Sequence, residues 1–311
     1  MGMFAYSDTN KRYHSLTFQR KQQYHQKVAK ICLNAGYTCI NRDGTKGYGG
    51  CHFCADNSRN NKTLEQQIVE QQALIRRKWP TAKFQLYWQA GSNTYGPLRQ
   101  NIENYQLFRR LNDVVAIAIA TRVDCLADDT LAYLDSLTKE IDVTIELGLQ
   151  TMHDQTRAAL NCQYSLADFE ACLNRIAQTS CCVVVHIINS LPGETLEMML
   201  ATAQFLGRRP ISGIKIQMLH IDRGTVLAQQ YQQQAFPLLS LDQYTDLVIE
   251  QLRRLPPQIV IHRLTGDSCP ADLIAPPWTA NKIAVLNMID KKMSALNVYQ
   301  GDLCEIINCY N

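Results

Sequence analysis

The sequence predicts an α/β protein: a partial, three-quarter TIM-like (β/α)6 barrel with a C-terminal extension. Three observations predict it. Strand-like apolar runs and helix-like stretches alternate about six times, which implies a parallel sheet with right-handed crossovers. One run, "DVVAIAIATRVD" at 113–124, is almost continuously apolar, as strands buried on both faces are. Six units are too few to close an eightfold barrel, so an open barrel is expected, with a doubly wound sheet as the rival. The chain of 311 residues is long enough for one large domain or two small ones. The one weak break follows residue 230, in "QQYQQQAFPLLS". It divides a barrel at 1–230 from a C-terminal helical and tail extension at 231–311 packed on it.

The elements follow in order. A first strand is expected at "YTCI" (37–40). "TLEQQIVEQQALIRRKW" reads as a helix opened by a capping box of Thr63 and Gln66. "KFQLYWQAG" reads as an aromatic-rich strand, followed by the strand at 113–124 and a helix near 128–138. Next come the strand "EIDVTIELGLQ", a helix opened by Ser165 and Asp168, and the strand "CVVVHIINS". "GETLEMMLATAQFLG" is a helix and "GIKIQMLHI" a strand. "LDQYTDLVIEQLRRL" is the last long helix, with Ser240 and Gln243 as its cap pair. In parallel α/β folds the ligand site lies at the C-terminal ends of the strands. The polar residues Gln89, Asn93, Arg122, Asp124, Gln150, His186, Asn189 and His220 fall there.

Composition narrows the class of function. No run of eighteen apolar residues exists, so a membrane span is not expected. The N-terminal stretch lacks the apolar core of a signal peptide, so a cytoplasmic location is expected. Twelve cysteines in such a chain point to free thiols, core packing or metal ligands rather than disulfides. The net charge is +3 but uneven: residues 1–60 carry nine Lys or Arg against Asp8, Asp43 and Asp56, giving +6 there and −3 elsewhere. A basic segment of this kind suits a polyanion such as RNA, or is simply a solvated arm.

The stretch "CINRDGTKGYGGCHFC" holds Cys39, Cys51 and Cys54. Two residues separate the last pair, so both sulfurs reach one metal centre. The glycines at 44, 47, 49 and 50 let the backbone fold tightly. Three readings follow from spacing. A 4Fe–4S cluster on three cysteines leaves one iron open to chelate S-adenosylmethionine. A zinc site needs a fourth ligand, which no second cysteine pair supplies. Three structural cysteines are the plainest alternative. Cys32, Cys125, Cys162 and Cys172 have no ligand spacing and read as small apolar fillers. Cys181 and Cys182 are adjacent on a strand and point to opposite faces. Cys269, Cys304 and Cys309 could converge on a second metal site.

The chain resembles the radical S-adenosylmethionine proteins of the YhcC/YtqA type, relatives of the catalytic subunit of Elongator. "NAGYTCINRDGTKGYGGCHFC", "ELGLQTMHDQT", "HIINSLPGET" and "IKIQMLHI" carry the resemblance. So does the tail, "IHRLTGD" followed by "LIAPPWTANKIAVLNMI". The resemblance covers roughly residues 13–300 and implies the three-quarter barrel. It also implies a 4Fe–4S cluster on Cys39, Cys51 and Cys54, with S-adenosylmethionine as the second cofactor. Phe53 would present its backbone to the adenine. Glu146 and Gln150 would lie near the ribose and amino-acid end, and Gln217 beside the adenine. His186 and the turn around Glu194 would lie on the next strand's active edge, and Gln89, Asn93 and Arg122 join this cofactor-binding set.

The implied activity is reductive cleavage of S-adenosylmethionine to a 5′-deoxyadenosyl radical. The implied substrate is the wobble uridine of tRNA, with conversion of 5-carboxymethylaminomethyl to aminomethyl. An external electron donor such as flavodoxin or ferredoxin is implied as well. The alternatives are a radical enzyme acting on a small molecule or peptide, and a non-enzymatic zinc-binding protein associated with RNA. The sequence departs from the family's pattern near the cysteines. Ile40 stands where proline is usual, "NCQ" at 161–163 where an Arg-Gly pair is common, and "ADNSRNNK" after Cys54 is short.

Overall fold

A computed structural model describes residues 4–55, 61–233 and 236–304. In chain order the elements are α1 (Leu16–Tyr24), β1 (Val28–Leu33), α2 (Leu64–Lys78), β2 (Lys83–Trp88), α3 (Leu98–Tyr105), β3 (Val114–Thr121) and α4 (Asp128–Leu137). Then follow β4 (Asp142–Gln150), α5 (Asp154–Ala159), α6 (Leu166–Ile176), β5 (Cys182–Asn189), α7 (Leu196–Gly207), β6 (Gly213–Met218), β7 (Ile221–Asp222) and α8 (Val226–Gln232). The chain ends with α9 (Leu241–Arg253), β8 (Val260–Arg263), β9 (Leu273–Ala275) and α10 (Lys282–Ala295). Among the described residues seven strands form one sheet in the order β1-β2-β3-β4-β5-β6-β8, and β7 pairs with β9 in a second. The class is the expected α/β one, with β8 as a strand beyond the six anticipated. No described helix is long and apolar enough to cross a membrane.

The first strand lies at Val28–Leu33, not at "YTCI", which is loop. Lys30 interrupts the apolar pattern of the true strand and hides it. Its ammonium group lies 3.5 Å from Glu146 and 4.8 Å from the centre of the Tyr87 ring, so a charged residue is held within the strand. At 37–40, Tyr37 and Ile40 are buried, but as single residues of a loop that follows Gly36, where the backbone is left-handed at φ +75°.

The chain divides into two compact units. One comprises Arg20–Leu149 and Arg157–Val185. Its strands β1 to β4 pair in parallel, residue for residue from Val28↔Lys83 to Thr121↔Leu147 apart from one bulge at Phe84 and Gln85. Ile31, Leu33, Phe84, Leu86, Ile117, Ile119, Ile145 and Leu147 are fully buried, which is the apolar filling that a parallel sheet requires. Helix α2 opens with the expected capping box of Thr63 and Gln66, and α6 with the box of Ser165 and Asp168.

Helix α2 also closes the free edge of β1. Gln71 accepts from the Cys32 N–H at 2.8 Å and donates to the Cys32 carbonyl at 2.7 Å. Gln67 repeats the arrangement at Asn34, at 2.8 and 2.9 Å. Two amide side chains thus take the place of a neighbouring strand on an edge that would otherwise offer unpaired backbone groups.

The other unit comprises Met1–Gln19, Gln150–Thr156 and His186–Asn311. Strand β8 pairs in parallel with β6, so the tail motif that begins at Ile261 enters the sheet. Helix α9 starts at the expected cap of Ser240 and Gln243. Its Gln251 exchanges two amide hydrogen bonds with buried Asn189, at 2.8 and 2.9 Å. Gln300 accepts from the His14 N–H at 2.8 Å and donates to the Pro256 and Ile259 carbonyls at 2.8 and 2.9 Å, which ties both termini of the unit to the β8 approach.

Gln71→Leu keeps the bulk of the side chain and removes both bonds to Cys32. It is expected to cost on the order of 1–3 kcal/mol of stability. Urea unfolding measures this, and an unchanged midpoint would mean that the β1 edge does not depend on α2's amides.

Candidate cofactor site

The site is built in the unit that contains β1 to β4. After β1 the chain enters the loop that carries Cys39, Cys51 and Cys54, and backbone hydrogen bonds fold this loop on itself. The Cys39 carbonyl accepts from the N–H of Arg42 at 2.7 Å, and the Ile40 carbonyl from Lys46 at 2.9 Å. Gly50 N–H donates to the Asn41 carbonyl at 2.8 Å, and Cys54 N–H to the Cys51 carbonyl at 2.9 Å. Glycine is required at two of these turns. A Cβ at position 47 would lie 2.5 Å from Asn41 Oδ1, and one at position 50, where φ is +78°, would lie 2.7 Å from Arg42 Nε. The loop is a cradle that side chains would fill.

The surroundings of the thiols are cationic. Arg122 donates to both oxygens of Asp124 at 2.9 Å, and to the Cys162 carbonyl at 2.9 Å. It lies over the Tyr164 ring, 5.1 Å from its centre. Burial opposes the Arg122 charge, but the hydrogen bonds and charge of Asp124, with Cys39 and Cys51 beside them, outweigh it and hold the guanidinium protonated. Asp124 also receives Lys46 at 2.9 Å. Burial works against the Asp124 charge too, but the hydrogen bonds and charges of Arg122 and Lys46 together outweigh it, so its pKa is lowered. Arg42 reaches the Cys54 carbonyl on the other side of the loop.

This environment separates the thiols. The neighbouring Cys162 thiol lowers the Cys51 pKa against the opposing effect of burial, with Arg122, Asn41 and Arg42 adding to the lowering. Asn41 Nδ2 lies 3.7 Å from Cys51 Sγ. Cys54 is exposed; the protein packed around it raises its pKa, Cys51 and Cys39 add to the rise, and Arg42 works against it. The thiols without ligand spacing behave differently: burial pushes Cys125 up to about 12 and Cys172 to about 11, as expected of core fillers. Cys162, expected among those fillers, is fully buried but adjoins Cys51. Among the described residues no group of three or more His, Cys, Asp and Glu side chains is spaced to hold a single metal ion.

The other expected site residues fall in both units. Phe53 is half-buried in the turn between Cys51 and Cys54. Asn93 is buried, and its amide donates to the carbonyls of Trp88 at 3.2 Å and Ala120 at 2.9 Å, while its Oδ1 has no partner. Glu146 is buried beside Lys30. Gln89 is exposed and lines a cavity of about 440 Å³ with Cys32, Asn34, Gln67 and Gln71. None of the three motif cysteines lines that cavity.

Gln150, His186 and Gln217 belong to the second unit. Gln150 ends β4 in a left-handed backbone at φ +66°, with its buried Oε1 unpartnered. His186 lies on β5 and Gln217 on β6, both half-buried. Of the second cysteine group, Cys269 is exposed and Cys304 half-buried, and Cys309 lies outside the described residues.

Sequence reasoning missed Asn41, Asn161 and Cys162. The signal for the last two was the "NCQ" departure at 161–163, whose place against the cysteine loop only the fold reveals.

Comparison with known proteins gives the family. A family model for the Radical SAM superfamily matches residues 45–206, and one for the Radical_SAM C-terminal domain matches residues 211–295. YtqA of Bacillus subtilis is 38% identical over 304 residues, covering 96% of this chain and 94% of YtqA. YhcC of Escherichia coli is 30% identical, covering 88% of this chain and 89% of YhcC. The archaeal Methanocaldococcus infernus Elp3 shares the fold with a TM-score of 0.67 at 14% identity, over 88% of this chain. This chain spans 64% of that Elp3 structure's length.

In the metal-free protein, Cys51 is expected to ionise below the ordinary thiol range, so its alkylation by iodoacetamide should accelerate at a lower pH than that of an ordinary cysteine. Arg122→Met removes a charge that favours the thiolate and should move the midpoint upward. Peptide mass spectrometry across a pH series reads both, and a wild-type midpoint at the ordinary thiol value of about 8.5 would contradict the electrostatic account.

Proposed function

We propose, from the premise that the chain belongs to the Radical SAM superfamily, that Cys39, Cys51 and Cys54 hold the 4Fe–4S cluster this family uses with S-adenosylmethionine. The observation that carries the assignment is the glycine-cradled loop with three thiols beside Arg122 and Arg42. Thiolates are the ligating form, and a cluster they hold needs compensating positive charge, which both arginines supply. When bound, the cofactor pair supplies one-electron cleavage of the sulfonium to a 5′-deoxyadenosyl radical.

The chain's own residues bind and orient. Asp124 fixes Arg122 against the loop, and Lys46 and Arg122 together leave that three-residue group one positive charge in excess. Asn41 holds the inside of the loop from a fully buried position. Phe53 would present the backbone between the last two thiols to the nucleoside of the cosubstrate.

For substrate, we infer the wobble uridine of tRNA, with the 5-carboxymethylaminomethyl group converted to aminomethyl. The basic excess in residues 1–60 and the fold shared with Elp3 support this reading. One observation favours a second reading, a small molecule or peptide. Lys11, Lys30 and Lys46, three of the cations in that basic segment, are engaged by Asp290, Glu146 and Asp124 within the protein. Binding of tRNA should fall steeply with salt if phosphates are contacted, and a salt-insensitive interaction would favour the second reading.

The central test is anaerobic. Reconstituted protein with dithionite and S-adenosylmethionine is expected to release 5′-deoxyadenosine, and Cys51→Ala to abolish that release. Failure of the wild type to do so removes the cluster assignment. Wobble nucleosides from cells with and without the gene are expected to differ in the 5-carboxymethylaminomethyl to aminomethyl ratio, and identical nucleosides would reject the tRNA substrate while leaving the radical chemistry standing.

A further inference from the structure

Residues 160–163 lie directly against the cysteine loop, and nothing in the motif assignment uses them. The segment is itself anchored. The Asn161 N–H donates to the Ala158 carbonyl at 3.0 Å and the Cys162 N–H to the Arg157 carbonyl at 2.9 Å, while the Cys162 carbonyl accepts from Arg122 at 2.9 Å. From this base the segment holds the chain on both sides of Cys51. Asn161 Nδ2 donates to the carbonyls of Gly50 at 2.9 Å and Tyr48 at 3.3 Å, and the Leu160 carbonyl accepts from the His52 N–H at 3.0 Å. Gln163 Nε2 donates to Asn161 Oδ1 at 2.6 Å, which leaves Nδ2 as the edge turned to the loop. Asn161 and Gln163 both adopt left-handed backbone, at φ +56° and +61°, which residues other than glycine rarely do. Strain of this kind persists where surrounding bonds over-determine the conformation, and it concentrates at functional sites.

We propose that Asn161 is a positioning residue whose side-chain amide fixes the Tyr48–Gly50 turn, so that Cys51 is presented as a ligand and the cluster is retained at that corner. This rests on the cluster assignment made above. The turn needs an outside hold. Gly49 and Gly50, both at φ +78°, lead directly into Cys51, and glycine loses more conformational freedom on ordering than any other residue. Cys39 is held differently: its carbonyl accepts from the N–H groups of Arg42 and Asp43, at 2.7 and 3.2 Å, within its own turn. The Asn161 amide therefore acts on the Cys51 arm and not on the Cys39 arm. The remaining bonds of the segment to the loop, from Asn41 to the Asn161 carbonyl and from His52 to the Leu160 carbonyl, use its backbone. They survive substitution of the Asn161 side chain, which isolates the two amide bonds for testing.

The experiment compares reconstituted wild type, Asn161→Ala, Asn161→Gly and Asn161→Asp under anaerobic conditions. Two quantities are read: the rate of iron release to a ferrous chelator, and the ratio of Cys51 to Cys39 alkylation by limiting iodoacetamide, by peptide mass spectrometry. Asn161→Ala should release iron about tenfold faster, the scale set by one to two lost hydrogen bonds, and its alkylation ratio should rise. Asn161→Gly, which keeps the left-handed backbone without the amide, should match Asn161→Ala. Asn161→Asp, which turns acceptors toward two carbonyls, should release at least as fast. Unchanged release and ratio in Asn161→Ala at equal cluster content overturn this proposal and leave the cluster assignment intact. So does wild-type behaviour in Asn161→Gly, which would make the backbone turn sufficient, or faster alkylation of Cys39 and Cys51 alike, which would mean general loosening. A wild type that takes up no iron–sulfur cluster overturns both readings. Should Asn161→Ala not fold, Asn161→Gly and Asn161→Asp, which tolerate left-handed backbone, carry the same comparison.

Discussion

The site depends on one constraint: three thiols, which the proposed cluster would need as anions, are gathered on a short loop that must not be repelled open. Like charges at close range disfavour each other's ionisation. Arg122 answers that constraint. It is fixed bidentately by Asp124, braced by the Cys162 carbonyl and stacked over Tyr164, so its charge sits in one place. A buried charge of this kind is costly unless paired and hydrogen-bonded, and Asp124 meets that requirement. Lys46 then offsets the Asp124 charge, so the group still presents net positive charge to the thiols.

The sheet is what makes such a group positionable. Arg122 follows the last residue of β3 directly, and Glu146 lies within β4. Strands buried on both faces cannot slip by one residue without turning apolar side chains the wrong way, so their ends are fixed. The β1 edge is held by Gln67 and Gln71, and the cysteine loop therefore starts from a rigid strand. The positions of the functional groups are thus set by core packing within the unit rather than by the loop alone.

Much of the fold was legible in the sequence because its signals are local. The capping pairs at Thr63, Ser165 and Ser240 all form as expected, since each needs only residues three apart. The first strand was not legible, because Lys30 within it breaks the apolar alternation, and its partners Glu146 and Tyr87 come from other strands. The placing of the three motif cysteines on one loop could be read from spacing, and that of Arg122 from its position at a strand end. Cys162 could not, because it meets Cys51 across more than a hundred residues of chain and its own neighbours carry no ligand pattern.

The departures near the loop have separate physical readings. At position 40 the loop uses the backbone carbonyl, which accepts from Lys46 and Gly47 at 2.9 and 3.3 Å, while the Ile40 side chain is buried in the core. A proline would offer the same carbonyl, so that exchange leaves the loop's bonding intact. At position 161 the side chain itself makes the contacts, donating to the Gly50 and Tyr48 carbonyls, while at position 162 it is the backbone carbonyl that accepts from Arg122.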